Sequence, residues 1–104
     1  MANYLLVYHG GSMPESPEAG AKIMRAWTDW FGVLGGALVD GGNPVSKVKT
    51  IASNGTVSDG GVNPSSGYSV IKADNLDAAV ALAKACPVLG GGASVEVAET
   101  FNAM

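Results

Sequence analysis

The chain has 104 residues, a formal net charge of −3 and a pI near 4.8, which together indicate a single acidic domain over residues 1–104. Its six Lys and Arg residues are mostly scattered, so the basic face of a nucleic-acid-binding protein is missing, and anionic membranes are disfavoured in the same way. No apolar run approaches transmembrane length.

The first predicted element is a β-strand over Tyr4–His9, which ends at the only histidine of the chain and is followed by two glycines. Alternate residues of a strand face opposite sides of a sheet, and both sets are largely apolar here. A strand covered on both faces belongs in the interior of a sheet. We therefore expect this strand to be central, with His9 at the rim.

A long amphipathic helix is predicted next, from Ser16-Pro17-Glu18 to about Leu34. Serine is a favoured N-cap, proline suits the first helical position, and an acid stabilises the first turn. Gly35-Gly36 is expected to end the helix. Five large apolar residues fall on one stripe of the helical wheel: Ile23, Trp27, Trp30, Phe31 and Leu34.

A short second strand is predicted over Gly36–Asp40, and a hairpin follows within Lys47–Ser58. The hairpin is indicated by Asn54-Gly55, a strong turn signal between two β-prone runs. We expect its strands at about Lys47–Ala52 and Thr56–Ser58.

The last part of the chain predicts a strand, a helix and a strand. The first strand covers Tyr68–Ala73, and Asn75 caps a helix over Leu76–Ala85 that Pro87 stops. Three glycines then lead into the final strand, Ser94–Glu99.

With the hairpin treated as an insertion, the order is βαββαβ. This order predicts an α+β, ferredoxin-like fold with a four-stranded antiparallel sheet and two helices on one face. The right-handed crossover rule places the first strand between Tyr68–Ala73 and Ser94–Glu99. The uncovered face, and a charged share of only 14%, predict a homodimer that meets sheet to sheet.

Cysteine usage and the amino terminus predict a cytoplasmic location. The single cysteine cannot form an internal disulfide, and no secretory leader is visible. Cys86 is expected to be reduced, buried and inert.

His9 is the first candidate catalytic residue, because an imidazole between a strand end and two glycines suits general acid–base chemistry. Asp59 and Asp40 are its candidate partners, since a carboxylate bound to one ring nitrogen would fix the tautomer of the imidazole. The alternatives are a histidine in a surface or dimer contact and aspartates that bond to the backbone of their own turns.

Tyr8, Trp27 and Tyr68 are the candidate ligand-binding residues, and Trp30 is a further aromatic nearby. They could line an apolar pocket, although aromatics at helical spacing belong more often to the core. Glu96 is expected to be a dimer contact or a polar group inside a barrel. One His and one Cys cannot close a structural zinc site, so we expect no metal and no cofactor.

The chain resembles the YCII-related proteins, in particular their DGPF-domain branch. The resemblance spans nearly the whole length and is carried by the following segments: Tyr4–Tyr8, the helix with Trp27 and Trp30, Asp59-Gly60, Gly67–Ile71, Cys86-Pro87 and Ser94–Val97. It implies a ferredoxin-like fold paired as a dimeric α/β barrel, a bacterial source, and a His and an Asp that approach each other in a cleft.

The chain departs from that pattern around the signature. Asp59-Gly60-Gly61-Val62 stands where the branch has Asp-Gly-Pro-Phe, Asn63–Ser66 replaces charged residues, and Ala98 replaces an arginine. The aspartate is kept, but much of its charged surroundings is lost.

Three hypotheses of function follow. The first is a cofactor-independent enzyme that uses His9 with Asp59 or Asp40 on a small, partly apolar organic molecule. The second is a non-catalytic small-molecule-binding or accessory domain, which the altered signature favours. The third is a protein that serves assembly alone.

Overall fold

The computed structural model describes residues 1–11, 14–61 and 63–103. Within them the chain forms two α-helices and six β-strands, with short 3₁₀ turns at Gly35–Ala37 and Pro87–Gly91. The elements are β1 (Ala2–His9), α1 (Pro17–Leu34), β2 (Leu38–Asp40), β3 (Lys49–Ile51), β4 (Val57–Asp59), β5 (Ser65–Ala73), α2 (Leu76–Ala83) and β6 (Ser94–Glu99).

The main sheet is antiparallel, with the strand order β2-β5-β1-β6. The prediction that β1 lies between the strand after the insertion and the last strand is confirmed: Leu6 lies opposite Ser69 of β5 and Val97 of β6. The mixed α+β architecture is confirmed as well.

The core lies between one face of this sheet and the two helices. Tyr4, Leu6 and Tyr8 are buried on that face of β1 and pack in one cluster with residues of β5 and both helices. The helical members of the cluster are Trp30 and Leu34 of α1 and Ala79 and Ala83 of α2. Leu5, Val7 and His9 belong to the opposite face and are half-buried.

Both ends of α1 lie where the sequence predicts them. The Ser16 hydroxyl accepts a hydrogen bond from the Ala19 N–H at 3.1 Å, Pro17 is the first helical residue, and Gly35 ends the helix at φ 52°. The predicted apolar stripe is buried only in part. Ile23 is 42% exposed because it borders an open groove rather than the sheet.

The predicted hairpin is present as β3 and β4. β3 begins two residues later and ends one residue earlier than predicted, and β4 is shifted by one residue. The Ala52 N–H donates to the Thr56 carbonyl and the Gly55 N–H to the Ala52 carbonyl, so the loop is a turn followed by Gly55 at φ 89°. Asn54 supports it by accepting from the Thr56 N–H at 2.9 Å.

This hairpin projects from the rest of the molecule. Ile51 and Val57 face each other across it and are 70% and 58% exposed. The radius of gyration is 15.0 Å, whereas a compact domain of this length has about 13 Å.

Two boundaries in the second half differ from the prediction. β5 begins at Ser65 rather than Tyr68, because Ser65 and Gly67 pair with His9 and Tyr8 of β1 and so extend the sheet into the predicted loop. α2 ends at Ala83, two residues early. In the part of the chain that the structure describes, no helix is long and apolar enough to cross a membrane.

Candidate functional site

An aromatic cavity of about 350 Å³ lies between α1 and the β2–β5 edge of the sheet. The three residues that the sequence nominates for ligand binding, Tyr8, Trp27 and Tyr68, all line it. They are joined there by Met24 and Phe31 of α1, so α1 supplies one wall and the sheet supplies the other.

Two other aromatic residues of this cavity, Tyr8 and Phe31, pack against the Trp27 ring. The centroid of the Trp27 ring lies 5.5 Å from that of the Tyr8 ring, in an edge-to-face arrangement, and 5.6 Å from that of the Phe31 ring. It also contacts Trp30 edge to face at 5.6 Å, which ties the cavity wall to the core. Such geometries are those in which aromatic rings attract each other, so the wall is held in place without a ligand.

The segment Gly41–Pro44 closes the cavity on the sheet side. Gly42 has φ 74°, and a Cβ atom there would overlap the Tyr68 carbonyl oxygen. Gly41 lies against the aromatic cluster, since a Cβ atom on it would be 3.3 Å from the Phe31 ring. At position 42 only glycine lets the backbone approach β5 so closely, and at position 41 a larger residue would crowd the Phe31 ring.

A buried polar chain fixes Tyr8 behind the cavity. The Tyr8 hydroxyl donates to Ser69 Oγ at 2.7 Å, and Ser69 donates to the Gly41 carbonyl at 2.8 Å. Burial raises the pKa of the Tyr8 hydroxyl far above its usual value. Burial also raises the pKa of the neighbouring Cys86 thiol, so the expectation of a buried and unreactive cysteine agrees with its surroundings.

A wider groove of about 780 Å³ continues from the aromatic cavity along α1. The two spaces share Trp27, Pro44, Ser66 and Val88. The groove runs past Lys22 and Ile23 towards the glycines that follow β1. The aromatic cavity is therefore one end of a longer depression.

His9 does not line the aromatic cavity, because it points to the opposite face of β1 from Tyr8. Its Nε2 atom lies 3.1 Å from Glu96 Oε1, and its Nδ1 atom lies 3.1 Å from the Asn63 carbonyl oxygen. Both partner atoms are oxygen atoms that can accept a hydrogen bond. The His9 side chain is 12% exposed and the Glu96 side chain is 65% exposed, so the contact is open to solvent on the Glu96 side.

The two aspartates proposed as partners of His9 bond to other groups. Asp40 accepts a hydrogen bond from the Gly42 N–H at 2.8 Å, which is the turn contact weighed as the alternative for this residue. Asp59 forms an ion pair with Lys49 directly across the β3–β4 hairpin. Strand pairing places Asp59 beside Lys49, whereas Glu96 lies on the strand next to His9.

Asp59 nevertheless borders a third depression, of about 350 Å³, together with Gly10 and Gly11. The Asp59-Gly60 segment is thus brought close to the end of β1. No hydrogen bond joins its carboxylate to the His9 ring among residues 1–11, 14–61 and 63–103.

Several residues of the site are not nominated by the sequence. Glu96 is expected on an edge strand, but its pairing with His9 depends on the register between β1 and β6. Sequence reasoning also misses Met24 and the Gly41–Pro44 wall. The pair of glycines before Asn43-Pro44 is the available signal, since it marks a close backbone approach.

Comparison with known proteins adds no relative: no family model, curated protein or solved structure matches the chain. In the part of the chain that the structure describes, no three His, Cys, Asp or Glu side chains are grouped to hold a metal ion.

Proposed function

We propose that the protein binds a small, partly apolar organic molecule in the aromatic cavity. The observation that carries this proposal is a preformed space of about 350 Å³ lined by Tyr8, Trp27, Phe31 and Tyr68, in which Tyr8 and Phe31 pack against the Trp27 ring. Small-molecule sites are concave, mostly apolar and largely preformed, with a few polar groups that orient the ligand. Asn43 and Ser66 supply such groups at this cavity.

The lining also indicates the class of molecule. None of the described residues that line the aromatic cavity is ionisable apart from the two tyrosines, and the pKa of Tyr8 is raised by burial. An aromatic ring with one hydrogen-bonding substituent suits these walls, because it can pack against Trp27 and bond to Asn43 or Ser66. Phosphorylated ligands would find no cation among these described lining residues.

The test is a calorimetric titration with 2-naphthol, a neutral fused ring with one hydroxyl group. We expect saturable binding that weakens roughly tenfold, or by about 1.4 kcal/mol, in Met24→Trp, because the larger side chain fills the mouth of the cavity. Val33→Trp is the matched control, since Val33 is on the same helix, is 76% exposed and lines none of the three depressions. Binding that Met24→Trp leaves unchanged would contradict the proposal.

A second candidate function is acid–base catalysis at His9, with Glu96 in the role first assigned to Asp59 or Asp40. The specific observation in its favour is the 3.1 Å contact between His9 Nε2 and Glu96 Oε1. A carboxylate beside an imidazole orients the ring and stabilises its protonated form during proton transfer. No cofactor is invoked in this candidate function.

Proton transfer can be tested without a known substrate by following hydrogen exchange of 1-phenylpropan-2-one in D₂O by NMR. We expect acceleration over buffer, and a loss of about 10²-fold in His9→Gln if the imidazole is the acid or base. Asp40→Asn is the control. Exchange at the buffer rate in the wild-type protein would remove this candidate.

We also propose that the chain has a ferredoxin-like fold, is a bacterial, YCII-related protein, and pairs as a homodimer whose sheets close a dimeric α/β barrel. The support is the order βαββαβ around the β3–β4 insertion and the apolar face that the helices leave uncovered. A cytoplasmic location is proposed from the single, buried, unpaired cysteine.

A further inference from the structure

We infer that the ligand is an aromatic carboxylate, with its ring in the aromatic cavity and its carboxylate at Lys22 in the wider groove. This inference rests on the proposed function and adds the charge and the length of the ligand. It follows from the continuity of the two spaces, which share Trp27 and Val88.

α1 places Lys22 at the correct end of the groove. Ala19, Lys22, Ile23, Ala26 and Trp27 line the groove at the spacing of one helical face. Trp27 is five positions after Lys22 in the helix, which is a rise of about 7.5 Å along the helix axis. A ligand that reaches both residues therefore needs a short linker between its ring and its charged group.

The charge of the groove is set locally by Lys22. Among the described residues that line it, Lys22 is the only ionisable one. Neither of the two ion pairs in residues 1–11, 14–61 and 63–103 involves Lys22, although Glu18 lies one helical turn before it. An ammonium group at the edge of an otherwise apolar groove attracts an anionic group that can stay in contact with water.

The overall charge of the protein opposes the binding of a carboxylate. The chain carries a formal net charge of −3, so its general field repels anions. A ligand that binds more tightly as a carboxylate than as a neutral amide must therefore be held by a nearby cation.

The test compares 4-phenylbutanoate with its neutral isostere, 4-phenylbutanamide, by calorimetry at low salt. We expect the wild-type protein to bind the acid about two- to fivefold more tightly than the amide, which is the scale of an exposed ion pair. Lys22→Gln should abolish this difference and leave amide binding unchanged. Lys84→Gln, at an exposed lysine that lines none of the three depressions, should preserve it.

The other outcomes are distinct. Equal affinity of the wild-type protein for both compounds would overturn the carboxylate inference and leave the proposed cavity function standing. A preference that survives in Lys22→Gln would overturn the assignment to Lys22. Binding of neither compound, together with failure of 2-naphthol to bind, would overturn the proposed function as well.

Discussion

At the scale of single residues, Gly42 is the position on which the shape of the aromatic cavity depends most. It combines a left-handed backbone at φ 74° with a close approach to the Tyr68 carbonyl. Gly55 in the hairpin turn has a similar backbone, φ 89°, but no atom lies within 4 Å of the position of a Cβ. Comparing substitutions at these two glycines therefore separates the effect of backbone strain from the effect of steric overlap.

We expect Gly42→Ala to lower the free energy of unfolding by about 3 to 5 kcal/mol, because strain and overlap with β5 add. Gly55→Ala should lower it by about 1 to 2 kcal/mol, from strain alone. Urea denaturation of both variants measures the difference. Equal losses would show that the Gly41–Pro44 wall moves away from β5 at little cost.

At the scale of elements, the sequence predicts best where local signals and burial agree. Ser16, Pro17 and Gly35 define α1 to the residue, because capping is a local property of the chain. The strand Ser94–Glu99 is predicted with its observed bounds, because apolar Val95 and Val97 alternate with polar residues and three glycines precede the strand. The apolar stripe of α1 is also correct for Trp30 and Leu34, which are buried.

The parts that the sequence does not predict depend on distant partners. Ser65 joins a strand although its neighbours are typical of a loop, because the edge of β1 offers it hydrogen-bonding groups. Ile23 stays exposed because it borders the open groove, which no periodicity reveals. The pairing of His9 with Glu96 is likewise a matter of register between β1 and β6.

The candidate site shows the same division. The aromatic type of Tyr8, Trp27 and Tyr68 is sufficient to nominate them, and they line one cavity. The sequence also nominates His9, whereas the alternation of β1 sends Tyr8 and His9 to opposite faces of the sheet. Ligand binding and proton transfer are therefore two separate proposals.

At the scale of the whole molecule, the shape is flat and leaves much apolar surface open. Its extents are 43 × 40 × 18 Å, with an exposed hairpin and a sheet face that the helices leave open. Leu5 on that face lies between Val70 and Ala98, so a partner would meet an apolar centre. A two-stranded hairpin alone is only marginally stable in water, which adds to the case for a second copy.

We expect the wild-type protein to sediment with twice the chain mass of 10.4 kDa. Leu5→Asp should shift it to the monomer, because an unpaired carboxylate would be buried in the contact between sheets. Val33→Asp, on the exposed side of α1, is the control and should remain dimeric. Sedimentation equilibrium decides, and a wild-type monomer at high concentration would contradict the homodimer.

The most direct test of the aromatic cavity follows the indole N–H signals of the two tryptophans by NMR during titration with 2-naphthol. Trp27 lines the cavity, while Trp30 is buried and its Nε1–H donates to the Leu82 carbonyl at 3.2 Å. We predict a saturable shift of the Trp27 signal and a clearly smaller shift of the Trp30 signal. A Trp27 signal that does not move, or that moves without saturation, would contradict ligand binding in this cavity.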